Sequence, residues 1–187
     1  MKIIVINGAP GVGKDEFVKQ CQKLTLWCKN VSTVDFVKDV AKYCGWKGDK
    51  TPENRAFLSD LKQLLGDWND IPYKKTLDSI YAYEASALSY DFSTDDVIVF
   101  VHCREPKEIT RFVKDLNAIT LFITREDVVK VTSNKSDVNV AKYSYDYVIH
   151  NNGTIEDLRI QASQFLERIG VSKIDFSVKK SYNQISN

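Results

Sequence analysis

The residues with the clearest chemistry lie close to the N-terminus. Gly8, Ala9, Pro10, Gly11, Val12, Gly13 and Lys14 satisfy the spacing G-x-x-x-x-G-K, and Asp15 follows directly. A loop of this kind binds phosphate. Glycine lets the backbone take positive φ and approach an anion closely. The N–H groups so exposed form a concave nest for phosphate oxygens, and a following helix adds the positive end of its dipole. Lys14 is spaced to reach the β- and γ-phosphates of a nucleotide. Loops of this pattern usually carry Ser or Thr after the lysine, as a ligand to Mg²⁺. Asp15 stands there instead. A carboxylate suits Mg²⁺ through a bridging water, because this ion sheds water reluctantly.

Two arginines lie just beyond apolar runs: Arg104 after VIVFVHC and Arg125 after ITLFIT. Phosphoryl transfer needs positive groups around the moving phosphate, a metal and in-line positioning, with little covalent help. Arginines past two strand ends favour a site lined for phosphate, whereas either one alone reads as a surface charge. Arg55 lies three residues before Leu58, which sets it along the apolar stripe of a helix rather than toward open water. A ligand role and a snorkelling role both fit that spacing.

The elements that must hold these residues alternate. Lys2 to Ile6 reads as a buried strand. A helix is predicted over residues 14–27, with Phe17, Cys21, Leu24 and Cys28 on one face. A short strand over 30–35 and a helix over 36–43 follow. Thr51 as N-cap and Pro52 in the first turn open a helix whose stripe is Leu58, Leu61, Leu65 and Trp68. Another helix is predicted over 72–90. The run VIVFVH reads as a central parallel strand. A helix over 106–116 and strands over 118–124 and 147–149 complete the alternation. Thr154 and Asp157 form a capping box, and Gly170 ends the helix that it opens. The expected architecture is a three-layer α/β/α fold with a five-stranded parallel sheet and right-handed crossovers. Ligands of such sheets sit at the carboxyl ends of the strands, where residues 8–15, Asp35, His102, Arg104 and Arg125 all fall.

Composition narrows the field. The 187 residues, 43% of them hydrophobic, suit one domain with a filled core. A net charge of +1 gives no basic field for nucleic acid or membrane. Cys21, Cys28, Cys44 and Cys103 contain no C-x-x-C pair, and with only His102 and His150 beside them no zinc-type ligand set forms. They read as reduced thiols of a cytoplasmic protein. No leader-type apolar segment precedes Asn7, and no apolar run is long enough to span a bilayer.

Taken in order, these motifs give a chain that resembles the nucleoside and nucleotide kinase group of phosphate-loop proteins. It is most similar to the deoxynucleoside monophosphate kinases of phage and bacteria. The GKD ending is common to those enzymes and to phosphomevalonate kinases of the animal type. VDFVKD resembles an A-D-P-x-K-E segment and implies that Asp35 and Lys38 serve the acceptor. The stretch from Thr51 to Asp67 resembles an R-x-x-L-Q-x-x-G helix, matching Arg55 and Gly66. HCREPKEI resembles D-V-R-x-P-x-E, matching Arg104, Pro106 and Glu108, with His102 where the family has an aspartate. Arg125 matches the arginine that opens a lid over about 125–139. YDYVIHNNGTIEDL resembles a segment also seen in dephospho-CoA kinases, and sets Asp146, Asn151 and Gly153 near the nucleotide base. The resemblance spans roughly residues 1–170, leaving 171–187 as a tail with one strand over 174–178 as an option. It implies transfer of the ATP γ-phosphate, with Mg²⁺ held by Asp15, to a nucleoside monophosphate or another small phosphorylated acceptor. Lys14, Arg104 and Arg125 are then the catalytic cations. Residues 8–15 with Asn151 and Gly153 hold ATP, and Asp35, Lys38, Arg55 and Arg104 hold the acceptor. Neither nucleic acid nor membrane is implied as a partner, and monomer and homodimer both remain open.

Two further readings compete. One is a nucleotide-binding protein with weakened catalysis, because neutral imidazole at His102 is a poor Mg²⁺ ligand. The other is a GTPase, since Asn134, Lys135 and Asp137 spell N-K-x-D. The GTPase reading lacks both the hydroxyl residue after Lys14 and a D-x-x-G segment. The kinase reading therefore predicts preference for ATP over GTP, with the base held near Asn151 to Gly153, measured by equilibrium binding. Tight GTP binding that disappears in Asp137→Ala would reverse this preference and reinstate the GTPase.

Overall fold

The structure is a computed structural model in which residues 1–90, 93–126, 128, 143–172 and 174 are described. In chain order the elements are β1 (Lys2–Asn7), α1 (Lys14–Leu24), β2 (Trp27–Ser32), α2 (Asp35–Tyr43), α3 (Pro52–Asn69) and α4 (Ile71–Leu88). A 3₁₀ turn (Thr94–Asp96) precedes β3 (Val97–His102), α5 (Pro106–Leu116), β4 (Ile119–Thr124), β5 (Tyr147–His150) and α6 (Ile155–Arg168). The five strands form one sheet in the order β2-β3-β1-β4-β5, and every pairing is parallel. The predicted α/β fold with a parallel five-stranded sheet is thus present.

Side-chain alternation explains why both faces need helices. Ile4, Ile6, Ile98, Phe100, Leu121 and Ile123 point to one face, where α1 and α6 cover them with Phe17, Cys21, Leu24, Leu158, Phe165 and Leu166. Ile3, Val5, Val97, Val99 and Val101 point to the other, under Tyr73 and Ile80 of α4 and Ile109 and Phe112 of α5. Phe17 meets Phe100 and Phe165 edge-on, with ring centroids 6.2 and 5.7 Å away. Burial on both faces is what makes VIVFVH a continuous apolar run.

The ends of the elements follow their local chemistry. Thr51 accepts from Asn54 N, and Pro52 sits in the first turn of α3. Thr154 and Asp157 make the expected capping box of α6, and Gly170 follows the helix at φ 69°. Asp70 turns α3 into α4 at φ 55°, and its carboxylate receives both terminal nitrogens of Arg111 from α5, at 2.8 and 2.6 Å.

Three expectations are corrected. Helix α1 ends at Leu24, not near residue 27, because Thr25 turns extended and its hydroxyl donates back to Cys21 O at 2.9 Å. Strand β2 therefore starts at Trp27 and ends at Ser32, and Asp35 opens α2 instead of closing the strand. Helix α3 has no buried residue, and its stripe is only partly covered: Leu58, Leu61 and Leu65 are half-buried and Trp68 is exposed. Its neighbours are α2 and α4 rather than the sheet. The expected strand over 174–178 and most of the expected lid over 125–139 lie outside the described residues, as does the N-K-x-D stretch. Ile174 itself donates to Leu24 O at 3.1 Å.

Candidate functional site

The parallel strands all end on one edge, at Ser32, Asn7, His102, Thr124 and His150. The loop of residues 8–15 leaves that edge from its middle, since β1 lies between β3 and β4. Asn7 fixes the exit. It is 2% exposed, and its Oδ1 accepts from Gly8 N at 2.8 Å while its Nδ2 donates to Cys103 O. No role was predicted for Asn7. The available signal was a polar residue closing an apolar run immediately before the first glycine.

The glycines at the two ends of the loop are required by their neighbours. At Gly8 (φ 143°) a Cβ would stand 2.3 Å from Ile123 O, a backbone atom of β4. At Gly13 (φ 94°) it would stand 2.4 Å from Asn151 Nδ2. Gly13 is also the N-cap of α1, with no side chain bonded there. The first N–H groups of α1 are therefore left to a ligand or to solvent. Lys14 Nζ donates to Gly8 O at 2.7 Å and to Ala9 O at 2.8 Å, so its ammonium lies across the mouth of its own loop.

Asn151 does something other than the expected contact with a base. It is buried, and its Nδ2 donates to Val12 O at 2.8 Å from beneath the loop. Its own N–H donates to Thr124 O at 2.8 Å. Gly153 makes room for the α6 cap, because a Cβ there would lie 2.5 Å from Asp157 Oδ2. Asp146 sits at the opposite edge of the sheet. It precedes β5, and its carboxylate accepts from Thr120 N and Oγ1, both at 2.8 Å, near the start of β4. The expectation that it lies near the base is thus overturned.

On the other side of the loop, β3 brings His102 to Asp15. The Nε2 of His102 is buried, has no hydrogen-bond partner, and lies 3.6 Å from Asp15 Oδ1. The histidine side chain is 17% exposed and the Asp15 side chain 81%. Burial is the main reason that His102 is held down at about 4, with Lys14 and Lys38 pushing the same way and Asp15 and Asp35 opposing. At neutral pH the contact with Asp15 is consequently not an ion pair. Asp35 and Lys38 lie close enough to act on His102 and are paired with each other at 3.0 Å. Asp35 also accepts from Ser32 N at 2.7 Å and lines a groove with Ser32, Phe36, Asp39, Lys75 and Thr76.

Behind His102 lies a polar knot that sequence reasoning did not assemble. Lys62 of α3 donates to Glu108 Oε2 at 2.7 Å and to Thr33 Oγ1 at 3.1 Å. Cys103 Sγ donates to the same carboxylate oxygen at 3.3 Å. Burial, with Glu108 beside it, raises the Cys103 thiol well above its ordinary value, so it stays protonated. Arg104 is exposed just beyond β3, and Arg125 is partly buried just beyond β4. Arg55 is exposed, and its Nε donates to Lys50 O at 3.1 Å, which corrects the expectation that it lies along a covered stripe. Among the described residues no group of three or more His, Cys, Asp and Glu side chains gathers, and no helix is long and apolar enough to cross a membrane.

No protein-family model matches the chain, and no curated protein sequence matches it. Among solved structures, the Deinococcus radiodurans tunicamycin resistance protein is similar with a TM-score of 0.49 and 15% identity, over 93% of this chain and 98% of that one. Shikimate kinase from Aquifex aeolicus vf5 is similar with a TM-score of 0.45 and 14% identity, over 89% of this chain and 96% of that one. These are distant likenesses, and the functional reading rests on the site.

Two outcomes follow from the geometry. Asn151→Ala leaves Val12 O unpaired in a buried place and is expected to cost about 1–3 kcal/mol in chemical denaturation. The value of His102 lies below the ordinary 6.5, so the unfolded chain takes up the proton more readily. Stability from this group is complete above pH 6.5 and drains away as pH falls toward 4. The loss is expected to be roughly 3 kcal/mol, seen as the difference between the parent and His102→Gln over that window.

Proposed function

We propose that the chain is a phosphotransferase that moves the γ-phosphate of ATP to a small phosphorylated acceptor, a nucleoside monophosphate in the first instance. The observation that carries this reading is the loop of residues 8–15. It rises from the carboxyl edge of a parallel sheet and is shaped by Gly8 and Gly13 into a helix with an open N-terminus. In this reading the phosphates lie on the loop N–H groups, and Lys14 exchanges its bonds to Gly8 O and Ala9 O for β- and γ-phosphate oxygens. Arg104 and Arg125 approach the transferring phosphate from the ends of β3 and β4. Asp35 and Lys38 line the acceptor side beyond β2. The base lies beyond β5, against the backbone of residues 151–153, since the Asn151 side chain is committed to the loop. Arg55 is left out of the set, because its guanidinium is engaged on an exposed helix face.

When bound, a divalent metal supplies charge neutralisation at the phosphate oxygens. Asp15, beside Lys14 and largely exposed, fits the water shell of Mg²⁺. His102, the other group facing that point, does not fit an ion that prefers oxygen. This imidazole favours a second reading, a nucleotide-binding protein of low turnover. ATP binding without transfer to any member of a monophosphate panel would select it.

Lys14→Ala is the direct test of the main reading. It removes a cation that serves the ligand and that stands outside the buried core. ATP affinity or turnover is expected to fall by at least an order of magnitude while the thermal midpoint stays close to that of the parent. Unchanged binding and turnover in Lys14→Ala would dispose of the phosphate-loop function.

A further inference from the structure

The Nε2 of His102 is a polar atom that is buried, unpartnered and turned toward the carboxylate of Asp15. Burying a hydrogen-bonding nitrogen without a partner costs free energy, so its occupant is expected to come with the ligand. The two side chains stand on separate elements, β3 and α1, and converge beside Lys14 where the phosphates enter. The 3.6 Å between Nε2 and Oδ1 is close to the span of two ligands on one metal ion. With metal–ligand bonds of about 2.1 Å, two adjacent ligands stand roughly 3.0–3.5 Å apart. Asp15 is largely exposed, so its side chain can close the remaining few tenths of an ångström by rotation. His102 is held rigidly by its burial and by its strand.

Mg²⁺ does not match this pair. It takes oxygen ligands almost exclusively, whereas imidazole nitrogen suits Fe²⁺, Ni²⁺ and the later first-row ions and is accepted more weakly by Mn²⁺, the first of that affinity series. We propose that His102 and Asp15 are direct ligands of the nucleotide's metal ion, and that the site selects a nitrogen-accepting first-row divalent cation over Mg²⁺. Two protein ligands, phosphate oxygens and water complete the coordination. The histidine thus changes which metal is used, where an oxygen ligand in its place would retain Mg²⁺. This inference rests on the reading of residues 8–15 as a nucleotide phosphate site.

The experiment uses the full chain with Mn²⁺ and ATP. Electron spin-echo envelope modulation of the bound Mn²⁺ reads ¹⁴N from a coordinated imidazole and ³¹P from the nucleotide in one measurement. The expected result is both signals in the parent protein. The nitrogen pattern should convert to that of ¹⁵N when the protein is labelled with [¹⁵N]histidine, a test that needs no substitution. In His102→Gln the phosphorus signal should remain and the nitrogen signal should vanish. Replacing Mg²⁺ by Mn²⁺ should tighten ATP binding by roughly tenfold or more in the parent, and by much less in His102→Gln. Phosphorus modulation without nitrogen modulation would overturn the metal inference and leave the nucleotide site standing. A nitrogen signal that survives His102→Gln would overturn it also, since another residue would then be the ligand. Absence of bound Mn²⁺ and of any phosphorus signal, together with no ATP binding in Mg²⁺, would instead bring down the nucleotide reading and this inference with it.

Discussion

At position 8 the chain passes the backbone carbonyl of Ile123 with no space for a side chain. That near-contact is set by the parallel register of β1 and β4, in which Ile6 lies beside Leu121 and Asn7 beside Phe122. A Cβ at Gly8 would have to push β4 away from β1, against the core residues on both faces. The far end of the loop is constrained in the same way, where Gly13 lies against the amide of Asn151. Asn7 ties the near end to the chain leaving β3. The shape of the loop is therefore a property of the sheet edge. Three neighbouring strands hold a segment that would otherwise pay a large entropy cost to stay curled. Lys14 and Asp15 inherit their positions from that restraint.

The same edge separates a firm half from a loosely attached one. Residues 8–15, α1 and α6 share a core with one face of the sheet. Helix α3 shares none, and has no buried residue. One of its anchors is the bond from Lys62 to Glu108 and Thr33, which joins α3 to α5 and to the turn after β2. Both side chains of the ion pair are partly covered, at 18% and 25% exposure. Such a pair fixes geometry more than it adds stability, since desolvation offsets much of the attraction. An element with few buried apolar contacts is drawn from the low-stability end of a fold. Under the proposed function, this is the side on which an acceptor would enter and leave.

Which parts of this were legible in the sequence follows from what periodicity can encode. β3 and β4 were readable because burial on both faces leaves an unbroken apolar run, bounded by turn residues. The start of β2 was not. Cys28 continues the spacing of Phe17, Cys21 and Leu24, and only the extended turn at Thr25 breaks the helix. The α3 stripe shows apolar residues on one face, but periodicity cannot show whether anything covers that face, and Arg55 was misjudged for that reason. Asp146 and Asn151 are near in sequence yet lie at opposite edges of the sheet. A strand between them advances about 3.3 Å per residue, enough to carry one motif from the amino end to the carboxyl end. Asn151 was found at the correct edge by its motif, but its bond to Val12 depends on β5 standing beside β4, which no local pattern contains.

The pairing of Asp15 with His102 has its own electrostatic logic. Asp15 occupies a position where phosphate loops usually carry a neutral hydroxyl, so this site begins with one extra negative charge. A second carboxylate at position 102 would face it at a similar distance, in a place that burial already makes hostile to charge. Like charges at that separation would disfavour joint ionisation. A neutral imidazole avoids the conflict. It offers a lone pair where the carboxylate would have offered a charge. With a carboxylate at 15, a neutral group at 102 limits the summed negative charge beside the loop, which suits the polyanionic ligand of the proposed function.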